Sequence, residues 1–295
     1  MVAFSPTAVT PPPLEILWPR TWRTPVVVSV PHSGCAYPED FWQQASEDTD
    51  FSGLEDPFLD RLLPETEALG APVVIARFGR AYVDVNRAPS EWDQAMFSER
   101  LPRRLVSDSG RVRAGLGTFP RYVPPRQLVN RYRLTVDQGI KRWLTGYRPY
   151  HRTLSHLLFA CRARFGFSVL ADLHSMPQLP GERLPDLVVG DGFGKACVTP
   201  VTQAATHAAQ SAGLSVVRNY PYAGGYITQN YGVPGRGVHA IQLEFARPLY
   251  MNETTRVMKA EQGSVTRAVA AVIEEIGALD PALLRPTPTA MAGED

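Results

Sequence analysis

Short apolar runs rich in valine and isoleucine recur along this chain, and they constrain its fold more than any other feature. They are VVVSV (26–30), VVIARF (73–78), YVDV (82–85), SVLADL (168–173), DLVVG (186–190), SVVRNY (215–220) and HAIQLEF (239–245). Several are almost uninterrupted, the pattern of strands buried on both faces. Helical spacing fills the intervals. Residues 134–165 carry Leu134, Ile140, Trp143, Leu144, Leu154, Leu157, Leu158 and Cys161 at helical spacing, with a break expected at Pro149. Helices are also expected over 198–212 and over 254–277, the latter through Val257, Val265, Val269, Val272 and Ile276. This alternation predicts an α/β fold: a single domain with a mixed, mostly parallel sheet flanked by helices.

The core of that domain is expected over residues 21–280. A Pro-rich N-terminal arm, 1–20, precedes it, and residues 5–19 cannot form a helix. A loose C-terminal tail, 281–295, follows. Residues 91–130 have few apolar runs and many arginines and prolines, so they read as a long excursion or lid.

Composition excludes several partners. The net charge of +1 gives no field to draw the chain to nucleic acid or an anionic membrane. No run of about 18 apolar residues spans a bilayer, and the segment SPTAVTPPPLEILWP lacks the plan of a signal peptide. Cys35, Cys161 and Cys197 are far apart and form no CxxC pair, so neither a disulfide framework nor a cysteine zinc site is indicated. The expectation is a cytoplasmic enzyme. Only Lys141, Lys195 and Lys259 are lysines among 30 basic residues, which leaves an abundance of rigid guanidinium forks for carboxylates.

Ligands in open α/β sheets bind beyond the carboxyl ends of the strands. Three such ends carry groups that apolar packing would not select: VVVSV leads to His32, SVLADL to His174, and HAIQL to Glu244. Asp172 lies two residues before His174 and shares its side of the strand, where it can orient the imidazole. Catalytic zinc keeps three protein ligands and one open position, so a carboxylate is needed as the third. The segment LEDPFLDRL (54–62) offers Glu55 and Asp56, and spacing does not choose between them; Asp before Pro is also an ordinary helix start. Arg80, Asn86 and Arg87 flank YVDV, and Arg87 can hold a substrate carboxylate by two parallel bonds. Tyr222-Ala223-Gly224-Gly225-Tyr226 has the make-up of a hinge that closes on a small ligand.

Other motifs fail on spacing. Gly190-Asp191-Gly192-Phe193-Gly194 has Lys195 where a dinucleotide loop needs its third glycine, and Ala196 where a Walker loop needs Ser or Thr. His151 and His156 are five residues apart on an expected helix, so they do not face one another. No G-x-S-x-G elbow is present.

Taken in order, VVVSVPHSG, LEDPFLDRL, YVDVNRAP, AGLGTFPR (114–121), PYH (149–151), ADLHSMP, PYAGGYIT and HAIQLEFARPLYMNE (239–253) resemble the N-formylglutamate amidohydrolase (N-formylglutamate deformylase) family. The resemblance implies a fold similar to the zinc carboxypeptidases, with one divalent metal, expected to be zinc, at the strand ends. It implies His32, His174 and Asp56 (or Glu55) as metal ligands, with Asp172 behind them. Glu244 would be the catalytic base, and Arg80 would stabilise the oxyanion. Asn86, Arg87, Gly225 and Tyr226 would bind substrate. The implied reaction is hydrolysis of N-formyl-L-glutamate to formate and L-glutamate, in histidine degradation. An amidohydrolase of the same fold acting on another N-acyl acidic amino acid or small acidic peptide is the alternative, and a non-catalytic binding module a distant one.

Overall fold

The computed structural model describes residues 13–286 apart from Asp48, Leu179, Pro180, Glu182 and Arg183. Seven strands make the central sheet: β1 (Leu14–Leu17), β2 (Val26–Val30), β3 (Val73–Ala76), β4 (Ser168–Met176), β5 (Leu187–Gly190), β6 (Val216–Arg218) and β7 (Val238–Ala246). Their order is β1-β3-β2-β4-β7-β5-β6. The β3-β2-β4-β7 block is parallel, while β1 joins β3, and β5 joins β7, in antiparallel fashion. Every residue of β2, β3, β4 and β5 is buried, which is why these runs read as continuous apolar stretches.

Two apolar layers cover the sheet. Val28, Val30, Ala171 and Leu173 face one side, with α3 (Thr199–Ser211) and α5 (Gly263–Gly277) against them. Val27, Leu170 and Ala240 face the other, under α2 (Arg148–Phe165) and the aromatic cluster of residues 37–147. The same face carries Ser29 and Asp172, which alternate with residues of the first layer along their strands. Ser29, Asp172 and, on the strand beside them, Gln242 are thus delivered to the same side of the sheet.

Several expected elements take a different form. Residues 14–17 of the expected arm are the edge strand β1, so the sheet begins before residue 21; residues 1–12 lie outside the described residues. YVDV is no strand. Tyr82 N donates to Gly79 O and Asp84 N to Thr118 O, so this segment turns beneath the excursion and its apolar residues fill the second layer. Pro149 does not break its helix: α1 (Val136–Arg142) runs through a π-turn over Trp143–Tyr147 into α2, and the wider turn accommodates the proline near the helix start. The last helix starts at Gly263, not 254, because Val257–Met258 pairs with Met251–Asn252 as a hairpin. In the expected tail, Leu284 is buried and its carbonyl accepts from His239 Nε2 at 2.9 Å; residues 287–295 lie outside the described residues. Residues 91–130 contain no strand of the main sheet, but they are packed: Trp92 stacks on Phe97, and Phe119 meets both edge-on.

Candidate metal centre and cleft

Strands β2, β4 and β7 lie side by side, and their pairing places the site. Ser29 is opposite Asp172, Asp172 opposite Gln242, and His174 opposite Glu244. His174 is thus within its strand, not beyond it. His32 follows β2 by two residues. There Gly34 passes so close to the segment after β3 that a Cβ on it would lie 2.5 Å from Ala76 O and Arg77 C. A side chain at 34 would push the His32 loop off the neighbouring backbone, which accounts for glycine in PHSG. Asp56 N donates to His32 O at 2.8 Å, so the LEDP turn is fastened beside that histidine.

These constraints bring His32, Asp56 and His174 together, all buried, with one potential ligand atom from each within 4.8 Å of the others. The imidazole centroids are 4.9 Å apart. Each ring has a carboxylate behind it. His32 Nε2 lies 2.8 Å from Asp84 Oδ1, and His174 Nε2 lies 2.9 Å from Asp172 Oδ2. Their Nδ1 atoms face Asp56 Oδ2, at 3.5 Å for His32 and 3.1 Å for His174. His32 Nδ1 is buried without a hydrogen bond among the described residues. Two oriented imidazole nitrogens and one carboxylate oxygen form a donor set suited to a divalent ion, with carboxylates setting the tautomers.

The electrostatics favour positive charge here. Burial opposes a charged His174, yet Asp172, Asp56 and Glu244 outweigh it and hold the imidazole pKa well above its usual value. Burial likewise opposes ionised Asp56, but His174 and His32 keep its carboxyl well below the ordinary range. The other Asp56 oxygen accepts from Ser175 Oγ at 3.0 Å and faces Arg247 Nη2 at 3.4 Å. Asp56 does not cap a helix; the following 3₁₀ turn begins at Leu59, after Phe58 in the left-handed region.

Glu55, the other possible ligand, points elsewhere. Its carboxyl accepts from Tyr37 Oη and, at 3.0 Å, from Arg80 N. Burial pushes it up to about 8 against those bonds. Adjacent residues of an extended turn project to different sides, and here only Asp56 reaches the imidazoles.

A cleft of about 290 Å³ opens on the cluster, with Glu244, Asn86 and Gly225 in its wall. Burial raises Glu244 to about 7, although His174 opposes this. Gln242 Nε2 donates to Glu244 Oε1 at 2.7 Å, while Gln242 Oε1 accepts from Gly225 N at 2.7 Å. One glutamine therefore ties the base to the glycine loop. Asn86 Oδ1 accepts from Ile227 N at 2.8 Å, and a Cβ on Gly225 would lie 2.3 Å from the Asn86 amide. Arg80 Nε donates to Asp84 Oδ2 at 2.7 Å, and Arg87 Nε to Leu116 O at 2.7 Å.

One expectation about the glycine loop changes. Tyr226 opens α4 (Tyr226–Tyr231) and packs edge-on against His151, with centroids 5.6 Å apart. It is Tyr222, at the other end of the loop, that lines the cleft. The reason is that the Gly225 and Ile227 backbone bonds turn residue 226 into the second apolar layer. Asp84, Gln242 and Arg247 were not singled out from the sequence. Gln242 had a readable signal, since it lies two residues before Glu244 on one strand face. Asp84 and Arg247 reach the centre only through tertiary contacts.

The family model described as N-formylglutamate amidohydrolase matches residues 24–251. An N-formylglutamate deformylase of Pseudomonas aeruginosa is 33% identical over 270 residues, covering 86% of this chain and 93% of that protein. One from Pseudomonas putida is 30% identical over 241 residues, covering 79% of this chain and 84% of that protein. The crystal structure of N-formylglutamate amidohydrolase from Ralstonia eutropha JMP134 superposes with a TM-score of 0.83 at 29% identity, covering 90% of this chain and 97% of that one.

Proposed function

This chain belongs to the N-formylglutamate amidohydrolase family, and on that premise we propose that it uses one divalent metal, most simply zinc, to hydrolyse N-formyl-L-glutamate to formate and L-glutamate. The observation that carries the reading is the cluster itself: two imidazoles, each backed by a carboxylate, converge with Asp56 on a cleft that also holds Glu244. His32, Asp56 and His174 would hold the ion. When bound, it supplies a Lewis acid that acidifies water and polarises the formyl carbonyl.

The chain's own groups do the rest. Glu244 takes a proton from the attacking water and delivers it to the amide nitrogen as the C–N bond breaks. Arg80, fixed by Asp84 and by Leu54 O, presents its remaining N–H groups to the developing oxyanion. Arg87, lodged beside Asn86, attracts a substrate carboxylate. The domain assigned this work runs from β1 to about Leu284; the family resemblance supports a reaction in histidine breakdown, and the cysteine usage supports a cytoplasmic setting.

Formate release from N-formyl-L-glutamate by the purified protein tests the reading. Activity is expected to disappear after treatment with 1,10-phenanthroline and to return on adding zinc. Activity that survives complete metal removal would overturn metal dependence, and faster turnover of the N-acetyl or N-succinyl derivative would redirect the substrate.

Acidity provides a second check. Glu244 must be ionised to accept a proton, and burial places its pKa at about 7. The base is therefore lost as pH falls, and kcat/KM should drop about tenfold per pH unit on the acid side. A bound cation lowers the midpoint and does not raise it. An acid limb with the same midpoint in the parent and in Glu244→Gln would remove Glu244 from the role.

A further inference from the structure

Among the described residues, four guanidinium groups line the cleft: Arg80, Arg87, Arg111 and Arg247. Three are committed to protein partners. Arg247 binds Ser175 Oγ, Glu55 O and Asp56, Arg80 binds Asp84 and Leu54 O, and Arg87 binds Leu116 O and Asn86 O. Arg111 differs: its side chain makes no hydrogen bond or ion pair among the described residues.

Its backbone, in contrast, is firmly placed. Arg111 lies in a short helical turn, Gly110–Arg113, whose Val112 N is capped by Ser109 Oγ. Ser109 Oγ also donates to Glu91 Oε1 at 2.8 Å. Leu116 N donates to Arg111 O at 2.8 Å, and Leu116 O receives Arg87 Nε. Thr118 Oγ1 donates to Ala88 O at 2.7 Å. The turn that carries Arg111 is thereby bolted to the segment that carries Asn86 and Arg87. A guanidinium without a protein partner, carried on a fixed backbone at a cleft already rich in arginine, is available to an anion.

We propose that Arg111 binds the side-chain carboxylate of the substrate and so sets the preference for an acidic over an amide side chain. This rests on the reading of the preceding section. The α-carboxylate is two bonds from the reacting nitrogen and falls to Arg87, which shares Asp84 with the ligand His32. The side-chain carboxylate is two methylenes further from the α-carbon and needs a cation at the rim. Arg111 is the rim guanidinium with its full fork free. Its charge and that of Arg80 add to burial in lowering Arg87 to about 10, a strain that a dianionic ligand relieves.

The test compares Arg111→Ala and Arg111→Lys with the parent protein on N-formyl-L-glutamate and N-formyl-L-glutamine. Arg111→Ala should lose roughly 10- to 100-fold in kcat/KM on the glutamate substrate, mostly through KM, and stay within about twofold on the glutamine substrate. Arg111→Lys should recover part of the loss. Equal losses on both substrates, or none on either, would overturn the assignment. Calorimetric binding of glutarate and butyrate supplies a readout without turnover. The parent should prefer glutarate, and Arg111→Ala should abolish that preference. Preserved preference in the variant overturns the clamp, whereas a parent that binds glutarate through Arg111 yet releases no formate overturns the substrate reading alone.

Discussion

Replacing Glu244 by glutamine is expected to lower kcat by about 10²- to 10⁴-fold while leaving fold, metal content and KM close to those of the parent. The substitution keeps shape and removes only basicity. Glu244 is buried in β7, opposite His174, and its Oε1 accepts from Gln242 Nε2. A glutamine oxygen can take the same bond, so the link through Gln242 to Gly225 N survives. Glu244 lies outside the cluster formed by His32, Asp56 and His174, so ion binding should persist. The split between kcat and metal content is what discriminates. If metal is lost in proportion to activity, Glu244 is a ligand and not the base; if kcat is unchanged, another group moves the proton. Removing a carboxylate that burial destabilises should also leave the melting temperature unchanged or raise it.

How much of this site could be read beforehand follows from the distance over which each residue acts. The inner strands were legible because they are buried on both sides, so that Val26–Val30 and Val73–Ala76 stand out as apolar blocks. His32, His174 and Glu244 were conspicuous as polar residues where those blocks end. Asp172 was legible from strand alternation, and the structure adds its support: Ser29 Oγ donates to Asp172 Oδ1 at 2.6 Å and meets Tyr150 Oη at 2.8 Å. Asp84 was hidden because local pattern misdescribes its segment. Val83 and Val85 alternate with polar residues as a strand would, but the segment packs into the second apolar layer, where Tyr82 meets Phe41 and Phe78 edge-on, and its backbone turns instead. A carboxylate that orients a histidine 52 positions away leaves no trace in either neighbourhood. Arg247 is similar: its contacts with Glu55 O and Asp56 exist only because the end of β7 reaches the LEDP turn. The excursion was legible by composition and not by role, since aromatic packing fixes it while one of its arginines, Arg111, reaches the cleft.

The second large effect separates the two neighbouring acids that spacing left equivalent. Asp56→Asn is expected to reduce bound metal from one per chain to near zero after dialysis, with formate release falling below detection. An amide oxygen is a weak ligand for a divalent ion, and the imidazoles would lose the negative charge between them. The local structure should persist, because the oxygen of the substituted amide can still accept from Ser175 Oγ and Arg247. Glu55→Gln is expected to keep the metal in full. Burial has already raised that carboxyl to about 8, so it is largely uncharged at neutral pH, and its partners are Tyr37 Oη and Arg80 N. Its effect should reach activity only through Arg80, as a modest fall in kcat with unaltered metal affinity. Elemental analysis of both variants decides the matter: metal retained by Asp56→Asn and lost by Glu55→Gln would exchange the roles of the two residues. Loss in both would mean that Glu55 holds the Asp56 turn so closely that ligand and support act as one unit.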